Sequence, residues 1–286
     1  MRKWALLLGT AGVLSLEGLA RRAGWGLPPP SPPDEVRGVV YPAAPGSPRL
    51  LVLGDSIPWG YGLTDPADAW PVLVGKGLAA RGEVWQVVDV SIPGETTLQG
   101  WARWRRDGRP WKARHVFIAF GLNDCHLHHT PWDAWRWAHV PQGWGRVFRL
   151  LHVLRTRRIP RPQDTLPRLR PRLTPEQTAS VLASLIRDVR RAGSTAWVLT
   201  PTPVAPTFHP EWPAPVRAYQ AEVCARTREA IVRTARKVRA PLIDVHRALS
   251  PPREAWFQPD GIHLTPQAHV VVAEQVIRAF TERSLP

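Results

Sequence analysis

A serine, a glycine, an asparagine and an Asp/His pair, each set where an apolar run gives out, are the residues of this 286-residue chain best suited to chemistry. Gly54-Asp55-Ser56 closes one run, Gly94 follows a second, Gly121-Leu122-Asn123-Asp124 a third, and Asp260-Gly261-Ile262-His263 lies near the end. Acyl transfer needs a nucleophile, a base to take its proton, a group to orient that base, and donors for the oxyanion. Ser56 supplies a hydroxyl. Asp260 and His263 are close enough for one compact loop to aim the carboxylate at one imidazole nitrogen and leave the other for Ser56. The backbone N–H groups of Ser56 and Gly94 and the side-chain amide of Asn123 are candidate oxyanion donors. Each motif alone has a plainer reading: a serine capping a turn, a turn glycine, an aspartate closing an Asx turn beside an exposed histidine. Their joint presence at run ends favours the chemical one. Asp55 and Asp124, adjacent to these positions, read as acceptors that structure loops.

The elements that must position these residues are legible as alternating short apolar runs and helical patterns. Runs at Leu50–Leu53, Val84–Val90, Val116–Phe120, Ala196–Leu199 and Pro241–Val245 have strand length. Helical patterns lie at Trp70–Leu78, Pro175–Arg191, Val216–Val238 and Pro266–Phe280. Thr174, Pro175 and Gln177 form a capping-box start, and Thr265-Pro266 repeats the device. This alternation specifies an α/β fold, a flavodoxin-like three-layer α/β/α arrangement around a mostly parallel five-stranded sheet. Sites in such folds lie at the carboxyl ends of the strands.

Taken in order, the motifs resemble those of the SGNH hydrolase superfamily, the GDSL esterases and lipases. The resemblance covers roughly residues 49–124 and 174–283. It implies a serine hydrolase that cleaves carboxylic esters through an acyl-enzyme, with Ser56, Asp260 and His263 catalytic and Ser56, Gly94 and Asn123 forming the oxyanion hole. It implies a small-molecule, lipid or carbohydrate ester as substrate: a lipid or lysophospholipid acyl ester, or an O-acetyl group on envelope carbohydrate. An acyltransferase on the same fold and a non-catalytic, envelope-attached binding module are the alternatives. Pro58 stands where the nucleophile elbow of the α/β-hydrolases has its second glycine, so Ser56 lies in a different kind of turn.

Residues 126–173 break the alternation and read as an insertion leaving the sheet directly after Asn123. Trp144, Val147, Phe148, Leu151 and Leu154 fall at helical spacing, with Arg146, Arg149, Arg155, Arg157 and Arg158 opposite. This helical, lid-like segment suits either a cover over the site or a membrane-surface helix, and packing on the domain edge is the plainer alternative. Trp59, Trp144 and Phe148 are the candidate substrate-binding side chains.

At the start, Met1-Arg2-Lys3 and a mostly apolar stretch to Leu16 suggest that residues 1–25 are a signal peptide or an N-terminal membrane anchor. An ordinary packed helix is the alternative. Residues 26–48 hold eight prolines and read as a stiff linker, leaving 49–286 as the hydrolase domain. These features predict an exported or envelope-attached protein. The 38 Lys+Arg against 23 Asp+Glu, a formal charge of +15, suit contact with an anionic surface such as a membrane or an acidic polysaccharide, a merely solvated basic surface being the alternative. No nucleic-acid reader motif is present, so no specific nucleic acid is expected. The only cysteines, Cys125 and Cys224, fit neither a zinc ribbon nor a redox pair. They are expected as free buried thiols, a disulfide being the alternative in an exported chain. His126, His128 and His129 have no second ligand cluster, so neither a metal nor another cofactor is expected. His209, His246 and His269 read as surface or packing residues.

Overall fold

In the computed structural model the residues described are 37–128, 169–209 and 212–284. Eight strands occur among them: β1 (Gly38–Tyr41), β2 (Arg49–Gly54), β3 (Gln86–Asp89), β4 (His115–Ala119), β5 (Leu127–His128), β6 (Arg170–Pro171), β7 (Thr195–Leu199) and β8 (Leu242–Ile243). The helices are α1 (Ser56–Trp59), α2 (Trp70–Ala79), α3 (Thr97–Arg103), α4 (Leu122–Cys125), α5 (Pro175–Arg191), α6 (Ala214–Lys237), α7 (Val245–Ala248) and α8 (Pro266–Ser284).

The main sheet runs β1-β3-β2-β4-β7-β8, parallel throughout except for β1. Continuous apolar runs form its strands because both faces are covered. Leu50 and Val52 of β2 join Phe117, Trp197, α2 (Trp70, Val74, Leu78) and α8 (Val272, Val276, Phe280) in one core. Leu51 and Leu53 point the other way, to Val116, Ile118, Val198, α5 (Leu182, Leu185, Ile186) and α6 (Ile231, Ala235). Alternate residues of one strand therefore fill two separate layers. The capping box of Thr174 and Gln177 starts α5. A second box, Thr96 with Gln99, starts α3.

The sheet has six strands where the sequence predicts five. The added strand, β1, lies inside the stretch expected to be an irregular linker. Its residues fall between Pro33 and Pro42, a window with no missing amide donor. At an edge it needs one partner only, pairing Gly38 with Asp89 and Val39 with Val88. Tyr41 anchors it against α2: a Cβ on Gly75 would lie 2.4 Å from the Tyr41 ring.

Two features close the region after Asn123. The short ladder β5–β6 pairs Leu127 with Pro171 and His128 with Arg170, so the insertion leaves and re-enters the fold at one place. Cys125 and Cys224 are joined by a disulfide with Cα atoms 5.1 Å apart, contrary to the free thiols expected. The bond ties α4 to α6 across 99 residues of sequence, a proximity that spacing alone does not reveal. The leader at 1–25 and the side chains of Trp144 and Phe148 lie outside the described residues.

Candidate active site

The strand order turns back at β2: β3 lies on one side of it and β4 on the other. A crevice opens at such a switch point beyond the carboxyl ends of the strands. Ser56 follows β2, Gly94 follows β3 and Asn123 follows β4, so three motifs distant in sequence meet there.

Ser56 is the first residue of α1, a single helical turn. Asp55 caps it, its Oδ1 accepting the N–H of Ile57 at 3.0 Å, and Gly60 in the left-handed region (φ 74) ends it. Gly54 is needed for packing: a Cβ there would lie 2.5 Å from Pro58 Cγ and 2.6 Å from the Ala119 carbonyl oxygen. The Gly-Asp-Ser sequence thus combines a residue without a side chain, a cap, and a hydroxyl lifted onto the strand end.

His263 Nε2 lies 3.0 Å from Ser56 Oγ, and Nδ1 lies 2.5 Å from Asp260 Oδ2. The Asp-Gly-Ile-His loop folds around its own aspartate, whose Oδ1 accepts the N–H groups of Ile262 and His263, both at 3.0 Å. Burial pushes the Asp260 carboxyl up, but the bonds from the His263 ring and from these two amides outweigh it and hold the group below the ordinary carboxylate range. Asp260 is therefore an anion beside Nδ1, which keeps the proton there and leaves Nε2 a lone pair for the serine proton.

The remaining motif residues have separate partners. Asn123 Nδ2 donates to Asp55 Oδ2 at 3.4 Å, and Gly94 adopts a left-handed turn with φ 79. Asp124 is fully buried and accepts from Thr97 N, Thr97 Oγ1 and Thr178 Oγ1 at 2.8, 2.6 and 2.9 Å, which binds α4 to the starts of α3 and α5. Burial pushes the Asp55 carboxyl up to about 7, against the Ile57 N–H and the charge of His263, which lower it.

Two residues that sequence reasoning missed hold the site's walls. Gln258 Nε2 donates to the carbonyls of Tyr61 and Leu264 at 2.8 and 2.9 Å, clamping the serine turn to the histidine loop. Gly62 (φ 77) makes room for it. Arg172 Nη1 donates to the Gly94 carbonyl at 2.9 Å and to Asn123 Oδ1 at 3.1 Å. Neither has a local pattern that would mark it.

Trp59 reaches the site indirectly. Arg37 lies over its ring at 5.6 Å, and Tyr61, 6.4 Å from it, packs on His263 with ring centroids 4.5 Å apart. The other histidines separate by environment. His269 is buried, accepts the Trp70 N–H at 3.2 Å and is pushed down to about 3 by burial. His126 lies near His128 and His209, and His209 stacks on Trp212 at 3.9 Å. Among the described residues no group of three His, Cys, Asp or Glu is placed to hold a metal.

A model of the GDSL-like Lipase/Acylhydrolase family matches residues 52–271. Esterase TesA of Pseudomonas aeruginosa is 41% identical over 75 residues, which are 26% of this chain and 37% of that protein. The crystal structure of TesA is similar with a TM-score of 0.56 at 23% identity, over 82% of this chain and 98% of that one. A lipase/acylhydrolase of Enterococcus faecalis is similar with a TM-score of 0.58 at 20% identity, over 82% and 96%. A catalytic mutant of Axe2, an acetylxylan esterase of Geobacillus stearothermophilus, is similar with a TM-score of 0.54 at 18% identity, over 82% and 94%. At these identities the solved structures show a shared fold.

Proposed function

The chain belongs to the GDSL-like Lipase/Acylhydrolase family, and from that premise we propose that it hydrolyses carboxylic esters through a covalent intermediate on Ser56. The observation that carries this reading is the chain of contacts Asp260–His263–Ser56, with its 3.0 Å step from Nε2 to Oγ. His263 takes the proton as Oγ attacks the ester carbonyl. Asp260 stabilises the imidazolium that forms. Ser56 N–H, Gly94 N–H and the Asn123 amide receive the developing oxyanion. His263 then protonates the leaving alcohol, and a water molecule repeats the sequence to release the acid and regenerate the serine.

The proposed substrates are lipid acyl esters or O-acetyl groups on carbohydrate, in keeping with the names TesA, lipase/acylhydrolase and acetylxylan esterase among its relatives. Export to the envelope is proposed with them, and the Cys125–Cys224 disulfide supports it, since such bonds persist in oxidising compartments. The test is a panel of chromogenic esters of increasing acyl length beside an acetylated glycan, run on wild type and Ser56→Ala. Ser56→Ala should stay folded, cleave none of them and fail to react with a fluorophosphonate probe. Labelling that persists in the variant would move the nucleophile elsewhere. Acyl transfer to an added alcohol in place of water would make the protein an acyltransferase, and a folded wild type inert to ester and probe would make it a binding module.

A further inference from the structure

An asparagine that is to stabilise an oxyanion must present its NH2 group. Its two amide atoms are nearly isosteric, and the flipped side chain would turn an oxygen lone pair toward the negative charge. The surroundings must therefore choose between the two orientations. In this protein Arg172 makes that choice. Its Nη1 donates to Asn123 Oδ1 at 3.1 Å, and a guanidinium has donors only, so a flipped Asn123 would set donor against donor. On the opposite side Asp55 Oδ2 accepts from Nδ2, selecting the same orientation.

The same Nη1 donates to the Gly94 carbonyl at 2.9 Å. One cation thus braces two of the three oxyanion positions, from loops 29 residues apart in sequence. Arg172 is itself fixed: its N–H donates to the His126 carbonyl at 3.2 Å and its Nε to His128 Nε2 at 2.9 Å. It stands at the root of the insertion, directly after β6.

The geometry points to Arg172 as the positioning residue of the oxyanion site, setting the orientation of Asn123 and holding the Gly94 loop against it. This rests on the catalytic reading of Ser56 and Asn123 given above. Because the oxyanion is absent from the bound ester and develops only on attack, in the transition state and the tetrahedral intermediate, loss of Arg172 acts on kcat and leaves KM for a small ester nearly unchanged. A direct donor of this kind is worth about 10²–10³ in kcat, and its positioning residue accounts for a part of that.

The experiment measures kcat and KM for p-nitrophenyl acetate with Arg172→Ala, Arg172→Lys, Asn123→Ala and the double variant Arg172→Ala/Asn123→Ala, each checked for folding by circular dichroism. We expect Arg172→Ala to lower kcat on the order of 10- to 100-fold with KM within about threefold, and Arg172→Lys to recover part of the loss. In the Asn123→Ala background the Arg172→Ala change should cost clearly less than in wild type, since only its hold on the Gly94 loop is then left to lose. Additive losses, an effect on KM alone, or an unchanged kcat overturn the proposal. Should Arg172→Ala fail to fold, Arg172→Lys alone and in the Asn123→Ala background decides by the same criterion. NMR separates this failure from failure of the catalytic reading: the side-chain amide pair missing in Asn123→Ala should shift in the Arg172 variants whether or not ester is turned over. An unmoved pair refutes the positioning role, and a shifted pair in a protein that cleaves no ester refutes the catalytic reading alone.

Discussion

Replacing Asp55 by asparagine should change how stability depends on pH more than stability itself. The carboxyl is buried beside Ser56, and burial raises it from 3.8 to about 7, with the Ile57 N–H, the His263 charge and Asn123 opposing and Asp124 adding to the rise. In the unfolded chain it ionises near 3.8. Between these values the folded protein holds a proton that the unfolded chain has released. The contribution of Asp55 to stability is thus fully present below about pH 4, is lost as pH rises toward 7, and is level beyond. About three pH units at about 1.4 kcal/mol each give a loss of about 4 kcal/mol. Asparagine cannot ionise, so this slope vanishes in Asp55→Asn. Its Oδ1 still accepts the Ile57 N–H, but its NH2 meets the Asn123 NH2, an offset of about 1–3 kcal/mol that is constant with pH. Glu95, also raised to about 7 by burial against the pull of Arg103, is present in both proteins and cancels. Urea unfolding of the two proteins at half-unit steps from pH 4 to 8.5 gives the difference directly. The stability of wild type minus that of the variant should fall by about 4 kcal/mol across this range. A difference that is flat in pH would refute the argument that Asp55 carries its proton in the folded site.

Other consequences follow from the same geometry. Asp260→Asn removes the anion that fixes the His263 tautomer and should lower kcat by about 10³- to 10⁴-fold while Ser56 and the fold remain in place; a loss below tenfold in single-turnover assays would deny the pairing a role. Gly54→Ala forces a Cβ against Pro58 and the Ala119 carbonyl, and thermal unfolding should show a loss of at least about 1–3 kcal/mol; unchanged stability would mean that α1 is free to move off the strand end. Polar replacement of Trp144, Phe148 and Leu151 together should reduce turnover of long-chain or micellar esters far more than that of a short soluble ester, and an equal fall in both would make the insertion a support for the catalytic loops.

The sequence by itself determined the parts of this protein whose causes are local. Leu50–Leu53 is a strand because a short, wholly apolar run bounded by a glycine fits a sheet covered on both faces. The boundaries of α5 match the expected Pro175–Arg191 because the Thr174/Gln177 cap, Pro175 at the first turn and the apolar spacing all lie within that segment. Ser56, Gly94 and Asn123 were legible for the same reason, each following a run that gives way to a loop; Asp260 and His263 instead stand in a loop well past β8, beyond α7, and were marked by their own Asp-x-x-His spacing. Tertiary structure alone decided what depends on distance through space between residues far apart in the chain. The order of strands carried Ser56 to His263 across 207 residues and Gln258 to Tyr61 across 197. Edge pairing made a strand of Gly38–Tyr41, whose sequence lies in a proline-rich stretch. The approach of α6 to α4 joined Cys125 to Cys224. The re-entry of the insertion beside β5 set Arg172 against Asn123. A lone arginine, a glutamine or a cysteine has no pattern of its own, since its role comes from the partner that folding brings to it.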